Sequence, residues 1–182
     1  MKIPFLIGYR IYLRGLEEKD IDGNYIKWLN DPEVCKFNSH HFFPYDKGNA
    51  IEYIKNINSS QNNLILAIIL KKGDIHIGNI ALQQINRIYQ SAEFAILLGE
   101  KKYWNKGYAK EAAKLVLNHG FLQLNLERIY CGTLASNLPM RKLAKFLGMK
   151  EEGIRRNAIF KNGKYHDVVE YGILHKEYST SS

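Results

Sequence analysis

A chain of 182 residues with 46% hydrophobic residues can bury one substantial core, and its 14 glycines and 4 prolines exclude collagen-like and proline-rich disordered classes. The net charge of +8 favours an anionic ligand, but the scattered lysines and arginines disfavour a nucleic-acid surface. No apolar run reaches the roughly 18 residues of a membrane span, so we expect a cytoplasmic protein without membrane contact. We predict one domain over residues 1–177 and a flexible tail over 178–182.

The first half of the chain predicts one strand, two helices and a strand hairpin. Residues 3–13 are rich in β-branched and aromatic residues, which is typical of a strand. Apolar residues recur at helical spacing from Glu17 until the chain reaches Pro32, and again over 46–58. Two later runs rich in Ile and Leu meet at Gly73, which predicts an antiparallel hairpin.

The second half predicts a further strand, "SAEFAILLG", and then an alternation of helices and strands. An apolar stripe favours a helix over 107–119 that ends at Gly120. After the strand "LERIYCGTLA", the run "SNLPMRKLAKFLG" predicts a helix capped by Ser136 or Asn137. Two extended runs flank the Asn-Gly turn at 162–163 and predict a closing hairpin. The order of elements indicates a mixed α/β class with helices packed on one sheet.

The stretch "KKYWNKGYAKEA" joins a strand to a helix and carries features of an anion site. The first N–H groups of a helix are free and lie at its positive end, so a phosphate binds well there. Gly107 lets the main chain approach such a ligand, and Lys106 adds a positive charge. The stretch matches neither GxxxxGK[ST] nor GxGxxG. The alternative interpretation is that Gly107 only permits a tight turn.

The same stretch resembles the acetyl-CoA pyrophosphate loop of the GNAT N-acetyltransferases, in which Gln or Arg is followed by two residues, Gly, one residue, and Gly or Ala. Here Trp104, Gly107 and Ala109 occupy the three patterned positions. "AEFAILLGE" resembles the family's splayed central strand, and "SNLPMRKLAKFLGM" resembles its Asn-bearing loop and helix. "FKNGKYHDVVEYGIL" is similar to the ending of the branch of ribosomal-protein N-terminal acetyltransferases (RimJ/RimL-like) and amino-sugar acetyltransferases.

The resemblance implies a mixed, mainly antiparallel sheet of about seven strands with four helices, and acetyl transfer from acetyl-CoA to an amine. It implies that backbone atoms of Ala95, Ile96 and Leu97 hold the pantetheine arm, and that Asn137 bonds to the arm from the other side. An N–H of Ile96 or Leu97 would stabilise the oxyanion. The diphosphate would lie on the main chain of six consecutive residues: Trp104, Asn105, Lys106, Gly107, Tyr108 and Ala109.

Glu93 is the candidate catalytic base, because it matches the position of the catalytic Glu in histone-acetylating relatives. The alternative is a solvent-facing strand residue paired with a lysine, and alternation along the strand leaves open which face meets the acceptor. The proton donors of relatives, a Tyr or a Ser, are replaced here by Ala144 and Met140. Tyr130, Tyr103 or a water molecule could take that role.

Candidate substrate-binding residues lie in two loops. The aromatic-rich segment "NSHHFFPY" contains His40 and His41, and the closing hairpin contains Tyr165. The alternative for the first segment is a polar loop whose two phenylalanines fill the core. We expect no metal, since adjacent histidines make poor ligands and the two cysteines lack a recognisable spacing.

The sequence leaves several functional alternatives open. The acceptor could be a protein N-terminus or an amino sugar, while a charge of +8 disfavours polyamines and aminoglycosides unless local acidic residues reverse it. We expect direct attack in a ternary complex, with Cys131 as an ordinary thiol rather than an acyl carrier. The alternative of a different class is a catalytically silent CoA-binding module. The final hairpin could also pair between two subunits of a homodimer.

Overall fold

The computed structural model describes residues 3–179, in which eight strands form one sheet in the order β1-β2-β3-β4-β5-β6-β8-β7. Neighbouring strands pair antiparallel except β5 and β6, which are parallel. The strands are β1 (Leu6–Ile7), β2 (Ile11–Gly15), β3 (Leu64–Leu70), β4 (Ile75–Asn86), β5 (Ser91–Leu98), β6 (Arg128–Leu134), β7 (Lys150–Lys161) and β8 (Lys164–Leu174). The predicted fold class, a mixed and mainly antiparallel sheet with helices packed on it, is therefore confirmed.

Within the described residues, five α-helices rather than the expected four accompany the sheet: α1 (Tyr25–Leu29), α2 (Lys47–Ser59), α3 (Tyr108–Leu122), α4 (Leu138–Phe146) and α5 (His175–Ser179). The sheet has eight strands rather than about seven because the predicted strand over 3–13 is split by a turn, where the Gly8 N–H donates to the Ile11 carbonyl at 3.0 Å. The predicted first helix is likewise divided into a short 3-10 helix, Glu18–Asp22, and α1.

The helices cover the two faces of the sheet with separate apolar clusters. One cluster packs α3 and α4 against strand residues such as Phe94 and Cys131. The other packs α1 and α2 against the opposite face, with Ala67 and Ile69 of β3 among its members. Strand side chains alternate between the two faces of the sheet, so successive residues of β5 and of β6 point toward opposite clusters.

Helix α3 runs through Gly120, although the sequence predicts that it ends there. A Cβ atom at this position would lie 2.9 Å from a Leu82 methyl group and 3.0 Å from an Ile129 methyl group. The glycine therefore lets the helix lie close against the sheet, and its packing role outweighs its tendency to end helices.

The last described residues form a short helix that packs on α3. Helix α5 extends to Ser179, and the Tyr178 ring packs on Phe121 with 5.0 Å between the centroids. Of the predicted tail over 178–182, residues 180–182 lie outside the described residues. Within residues 3–179, every helix falls short of the length and hydrophobicity that a membrane-spanning helix requires.

Strands β5 and β6 separate after three residue pairs, and this separation positions the site. Their last aligned pair is Glu93 with Tyr130. Beyond it, β5 continues alongside β4 to Leu98, while β6 continues alongside β8 to Leu134. The two central strands thus form a V that is closed at Glu93 and open toward the start of α3.

Candidate active site

A cleft of about 1540 Å³ runs through the V and across the α1–α2 face of the sheet. Its walls come from β5, β6, the starts of α3 and α4, the loop after α1 and the β7–β8 hairpin. We call the part between β5, β6, α3 and α4 the cofactor half. The part bounded by the loop after α1 and the hairpin is the acceptor half.

The loop before α3 has the geometry of an anion cradle. Asn105 and Gly107 both adopt left-handed backbone conformations, with φ of 59° and 83°. Gly107 is the N-cap of α3, and the first helical bond runs from the Glu111 N–H to the Gly107 carbonyl at 3.2 Å. Left-handed residues in such a loop turn neighbouring N–H groups toward one concave side, and the positive end of the helix dipole also points there.

Arg10 holds this loop from the β1–β2 turn. Its Nη1 donates to the Lys106 carbonyl at 2.9 Å, its Nε donates to Glu111 at 3.0 Å, and its guanidinium lies 4.5 Å from the centre of the Tyr108 ring. No local sequence pattern connects residue 10 to residue 106, so this contact of Arg10 could not be predicted from the sequence.

The contacts of Trp104 differ from the diphosphate contact that the family pattern implies. Its main-chain N–H donates to the Lys101 carbonyl at 3.0 Å, so that amide is already engaged. Its indole N–H donates to the Leu98 carbonyl at 2.7 Å and holds the end of β5. The predicted anion cradle of main-chain N–H groups therefore begins at Asn105. The indole of Trp104 instead connects the loop to the end of β5.

The hydrogen bonds at the ends of β5 indicate which residues face the open V. The Leu98 carbonyl points away from β4, since it accepts from Trp104, whereas the Gly99 N–H points toward β4 and donates to Ile77 at 3.0 Å. The N–H and C=O of one strand residue point to the same side, and successive residues alternate. Of the three β5 residues expected to hold the pantetheine arm, only Ile96 therefore faces the opening.

The remaining two, Ala95 and Leu97, turn their main-chain groups toward β4, with which they are aligned at Ala81 and Asn79. This geometry also separates the two oxyanion candidates. The Ile96 N–H is directed into the V, while the Leu97 N–H is directed into the β4–β5 ladder.

Asn137 lies across the V from β5, at the start of α4. It is the N-cap, as predicted, and its side-chain oxygen accepts from the Met140 N–H at 3.3 Å. Its amide group donates to the Thr133 hydroxyl at 2.9 Å. Both ends of the side chain are thus held, which orients Asn137 on the wall of the cleft.

Glu93 lies on the face of the sheet that carries α1 and α2. Its neighbours Ala92 and Phe94 are buried in the cluster under α3 and α4, so alternation directs Glu93 to the opposite face. Its carboxylate accepts from the Gln84 amide at 3.0 Å rather than from a lysine. Glu93 and Tyr130 both line the cleft at the closed end of the V.

The surroundings of Glu93 favour its neutral form. Burial raises its pKa above the ordinary value, and the nearby Glu170 carboxylate adds to this effect, while Gln83 and Arg155 oppose it. The pKa of Tyr130 is also raised, first by burial and then by the Glu93 carboxylate. A carboxylate whose pKa lies closer to neutrality is a better proton acceptor in catalysis.

Cys131 is on the opposite face and is buried in the core. Burial, with contributions from Glu170 and Glu93, raises the pKa of its thiol to about 12. A thiol with that pKa holds its proton at neutral pH and is a poor nucleophile. Among residues 3–179, no three His, Cys, Asp or Glu side chains come together as a metal site would require.

The structure brings one of the three predicted acceptor residues to the cleft. His40 lines it, and its pKa is lowered by partial desolvation and by the Lys161 ammonium. His41 is exposed and outside the cleft lining. Tyr165 is 63% exposed near the hairpin turn, where its ring packs on Phe160 at 5.1 Å, and it too is outside the cleft lining.

The acceptor half contains residues that sequence reasoning did not single out. Arg155 and Glu170 of the closing hairpin form an ion pair at 2.5 Å. The Asp, Glu, Lys and Arg side chains on this side are three acidic and three basic, namely Glu33, Glu93, Glu170, Lys36, Arg155 and Lys161. The aromatic rings of Tyr25, Phe37, Phe42, Tyr45 and Tyr53 complete the lining. No local pattern marks this set, because its members come from distant segments.

Comparison with known proteins agrees with this geometry. Residues 10–150 match the family model described as an acetyltransferase (GNAT) domain. The chain is 33% identical over 174 residues to an uncharacterized N-acetyltransferase, p20, of Bacillus licheniformis, covering 93% of this chain and 96% of that protein. It is 30% identical over 174 residues to the spermidine N(1)-acetyltransferase of Vibrio cholerae, covering 95% and 98% of the two chains.

Solved structures give the same result. The crystal structure of spermidine N-acetyltransferase from Vibrio cholerae in complex with CoA and spermine superposes with a TM-score of 0.84 and 26% identity. The match covers 93% of this chain and 98% of the other. The chain therefore belongs to the GNAT family of N-acetyltransferases and uses acetyl-CoA as its acyl donor.

Proposed function

We propose that this acetyltransferase moves the acetyl group directly to a primary amine in a ternary complex, with Glu93 as the base. One observation carries the proposal: Glu93 lies at the closed end of the V and faces the acceptor half. A thioester lying along the open edge of β5 would bring its carbonyl carbon to this point. The amine would arrive from the α1–α2 face.

Glu93 would remove the proton that blocks attack. An alkyl ammonium has a pKa of about 10, so losing its proton at neutral pH costs roughly 4 kcal/mol. Glu93 takes that proton, directly or through a water molecule, and passes it to solvent. The neutral amine nitrogen then bonds to the thioester carbon and gives a second proton to Glu93 as the amide forms. The raised pKa of the carboxyl group brings its basicity closer to that of the amine and favours this transfer.

Ile96 and Tyr130 would handle the negative charge that develops. The Ile96 N–H, directed into the V, would donate to the oxyanion of the tetrahedral intermediate. As the C–S bond breaks, Tyr130 would give its phenolic proton to the sulfur and later regain one from solvent. The raised pKa of Tyr130 keeps its proton in place until then, and the residue lies beside Glu93.

The preferred acceptor in this proposal is a polyamine of the spermidine class. One relative, the spermidine acetyltransferase of Vibrio cholerae, matches over more than nine-tenths of both chains and has a solved structure with CoA and spermine. The chain's net charge of +8 argued against a polycation, but the acceptor half balances three acidic against three basic side chains. Within the acceptor half, the repulsion expected from the charge of the whole chain is therefore reduced.

A protein N-terminus is the second candidate, supported by the resemblance of "FKNGKYHDVVEYGIL" to the RimJ/RimL-like branch. An α-amine has a pKa near 8 and needs less help from a base. An amino sugar is a further candidate acceptor, supported by the same sequence resemblance.

We also propose that the protein is located in the cytoplasm and forms a homodimer joined along β7. Cell fractionation and sedimentation would test these two points.

An amine panel tests the proposed function. Acetyl-CoA would be offered with spermidine, spermine, short peptides with free N-termini and amino sugars, and CoA thiol release would be followed with mass detection of the product. We expect acetylated spermidine. Thermal stabilisation by acetyl-CoA without thiol release from any amine would instead support the silent CoA-binding module. A product acetylated only on peptides would move the assignment to the second candidate.

A further inference from the structure

A buried ammonium group joins the two walls of the acceptor half. Lys161 is the last residue of β7 and only 8% exposed. Its Nζ donates to the carbonyls of Cys35 at 2.7 Å and Asn38 at 2.5 Å, more than 120 residues away in the sequence. Both acceptors belong to the loop after α1.

Such a burial is costly unless the ammonium finds several partners. Desolvation lowers the pKa of Lys161, which shows that the surroundings disfavour its charge. Two main-chain carbonyls and the ring of Phe42, 5.1 Å from Nζ, compensate for the lost water. An apolar side chain would avoid the desolvation cost but could not bond to the carbonyls. The lysine therefore contributes a connection that packing alone would not supply.

Each end of this connection is itself anchored. On the loop, the Cys35 thiol donates to the Trp28 carbonyl at 3.2 Å, and the Cys35 N–H donates to Asp31 at 2.9 Å. On the hairpin, the Lys161 carbonyl lies 3.1 Å from the Nε2 atom of His166. The ammonium thus links a loop that is tied to α1 with a hairpin whose strand β8 pairs with β6.

Both linked segments line the acceptor half. Phe37, Asn38 and His40 come from the loop, and Arg155 and Lys161 come from the hairpin. A change in the distance between loop and hairpin would alter the width of the space into which the amine must fit. The cofactor half is built from other segments, so its shape does not depend on this link.

We propose that Lys161 is a positioning residue for the acceptor amine: it fastens the loop after α1 to the β7–β8 hairpin and so maintains the shape of the acceptor half. The consequence for amine binding rests on the proposed function, but the fastening itself does not. Loss of the ammonium should loosen the loop and weaken amine binding while acetyl-CoA binding stays unchanged.

Hydrogen exchange of the free protein tests the fastening without any substrate. In Lys161→Met, the amides of residues 35–40 should exchange about tenfold faster or more than in the wild type. Lys161→Arg, which retains charge and donors, should restore part of the protection. Lys164→Met is the matched control, since Lys164 is exposed and aligned with Lys161 across the same hairpin, and it should leave the exchange unchanged.

Kinetics with spermidine and acetyl-CoA test the consequence. Lys161→Met should raise the KM for spermidine by about tenfold with acetyl-CoA affinity within about twofold of wild type, whereas Lys164→Met should change neither. Wild-type protection of the loop in Lys161→Met, or an unchanged KM for spermidine in that variant, would overturn the proposal. If Lys161→Met fails to fold, the same two criteria apply to Lys161→Gln, whose amide can serve one carbonyl. If the wild type does not acetylate spermidine, the preferred acceptor is wrong, and the exchange measurement still decides whether Lys161 fastens the loop.

Discussion

The two halves of the cleft are built in different ways. The cofactor half consists largely of main-chain groups: the left-handed loop at Asn105 and Gly107, the first turn of α3 and the unpaired edge of β5. The acceptor half consists of side chains from a loop and a hairpin that are joined by Lys161. A main-chain site tolerates most side-chain changes, whereas a side-chain site can change its ligand through single substitutions. One fold can therefore keep one acyl donor and vary its amine.

The substitution Glu93→Gln should have the largest effect on catalysis. Glu93 lies where the cofactor half and the acceptor half of the cleft meet. We expect kcat to fall by about 10²- to 10⁴-fold because the amide cannot accept the amine proton, while acetyl-CoA affinity remains unchanged. The wild-type rate should decline as pH falls through the raised pKa of Glu93, and the variant should lack this limb. Stopped-flow thiol release across pH measures both. Glu52→Gln, on the exposed face of α2, is the control; an unchanged pH profile in Glu93→Gln would assign the base elsewhere.

Gly107→Ala tests the main-chain half. A residue with a Cβ at φ of 83° is strained by roughly 1–2 kcal/mol, and the new Cβ would lie 3.3 Å from Arg10. We expect acetyl-CoA affinity, measured by calorimetry, to fall about tenfold or more as the loop changes shape. Gly163→Ala carries similar strain at φ of 77° in open space, so it should lower stability without affecting acetyl-CoA. Equal effects of the two variants on affinity would argue against the cradle.

Tyr130→Phe tests the proton donor beside the base. Removing the hydroxyl should lower kcat about tenfold with little change in either KM, because the lost interaction forms only as the C–S bond breaks. Tyr103→Phe is the comparison, since Tyr103 packs on Tyr108 at 5.9 Å outside the cleft lining. A larger loss in Tyr103→Phe would reverse the assignment.

Arg10→Met should give a smaller change in the cofactor half. Its ion pair with Glu111 is partly exposed, and such pairs contribute about 0.2–1 kcal/mol. Loss of the hydrogen bond from Arg10 to the Lys106 carbonyl should therefore weaken acetyl-CoA binding up to about fivefold, with no change in the KM for the amine. Arg87→Met, in the β4–β5 turn, provides the control, and a change in amine KM alone would contradict a bracing role for Arg10.

The smallest expected effect is on how the free energy of unfolding depends on pH. The folded-state pKa of Glu93 is raised, so the folded protein binds this proton more tightly than the unfolded chain does. The associated stability is present below the unfolded pKa and is lost as pH rises through the folded pKa. Glu93→Gln should therefore flatten this decline, as followed by denaturant unfolding at several pH values. A steeper decline in the variant would reverse the assigned direction of the shift.

Much of the fold could be predicted because its signals are local. Apolar periodicity located α2, α3 and α4. The Asn-Gly turn located the closing hairpin, and its residues Asn162 and Gly163 have the left-handed φ values of 52° and 77° that such a turn requires. The errors came where packing overrides local preference. Gly120 permits close approach of α3 to the sheet instead of ending it, and the first predicted strand folds back on itself.

By itself, the sequence determined the order of elements from α2 to β8 and the family resemblance, and it predicted an anion loop at Gly107, because each depends on residues close together in the chain. Only the tertiary structure decided that Glu93 lies on the α1–α2 face of the sheet, that Ile96 rather than Leu97 faces the V, and that Tyr165 is outside the cleft lining. It also joined Lys161 to a loop more than 120 residues away. The physical reason is that a side chain's face and partners depend on how distant segments pack, and local sequence patterns carry little information about that packing.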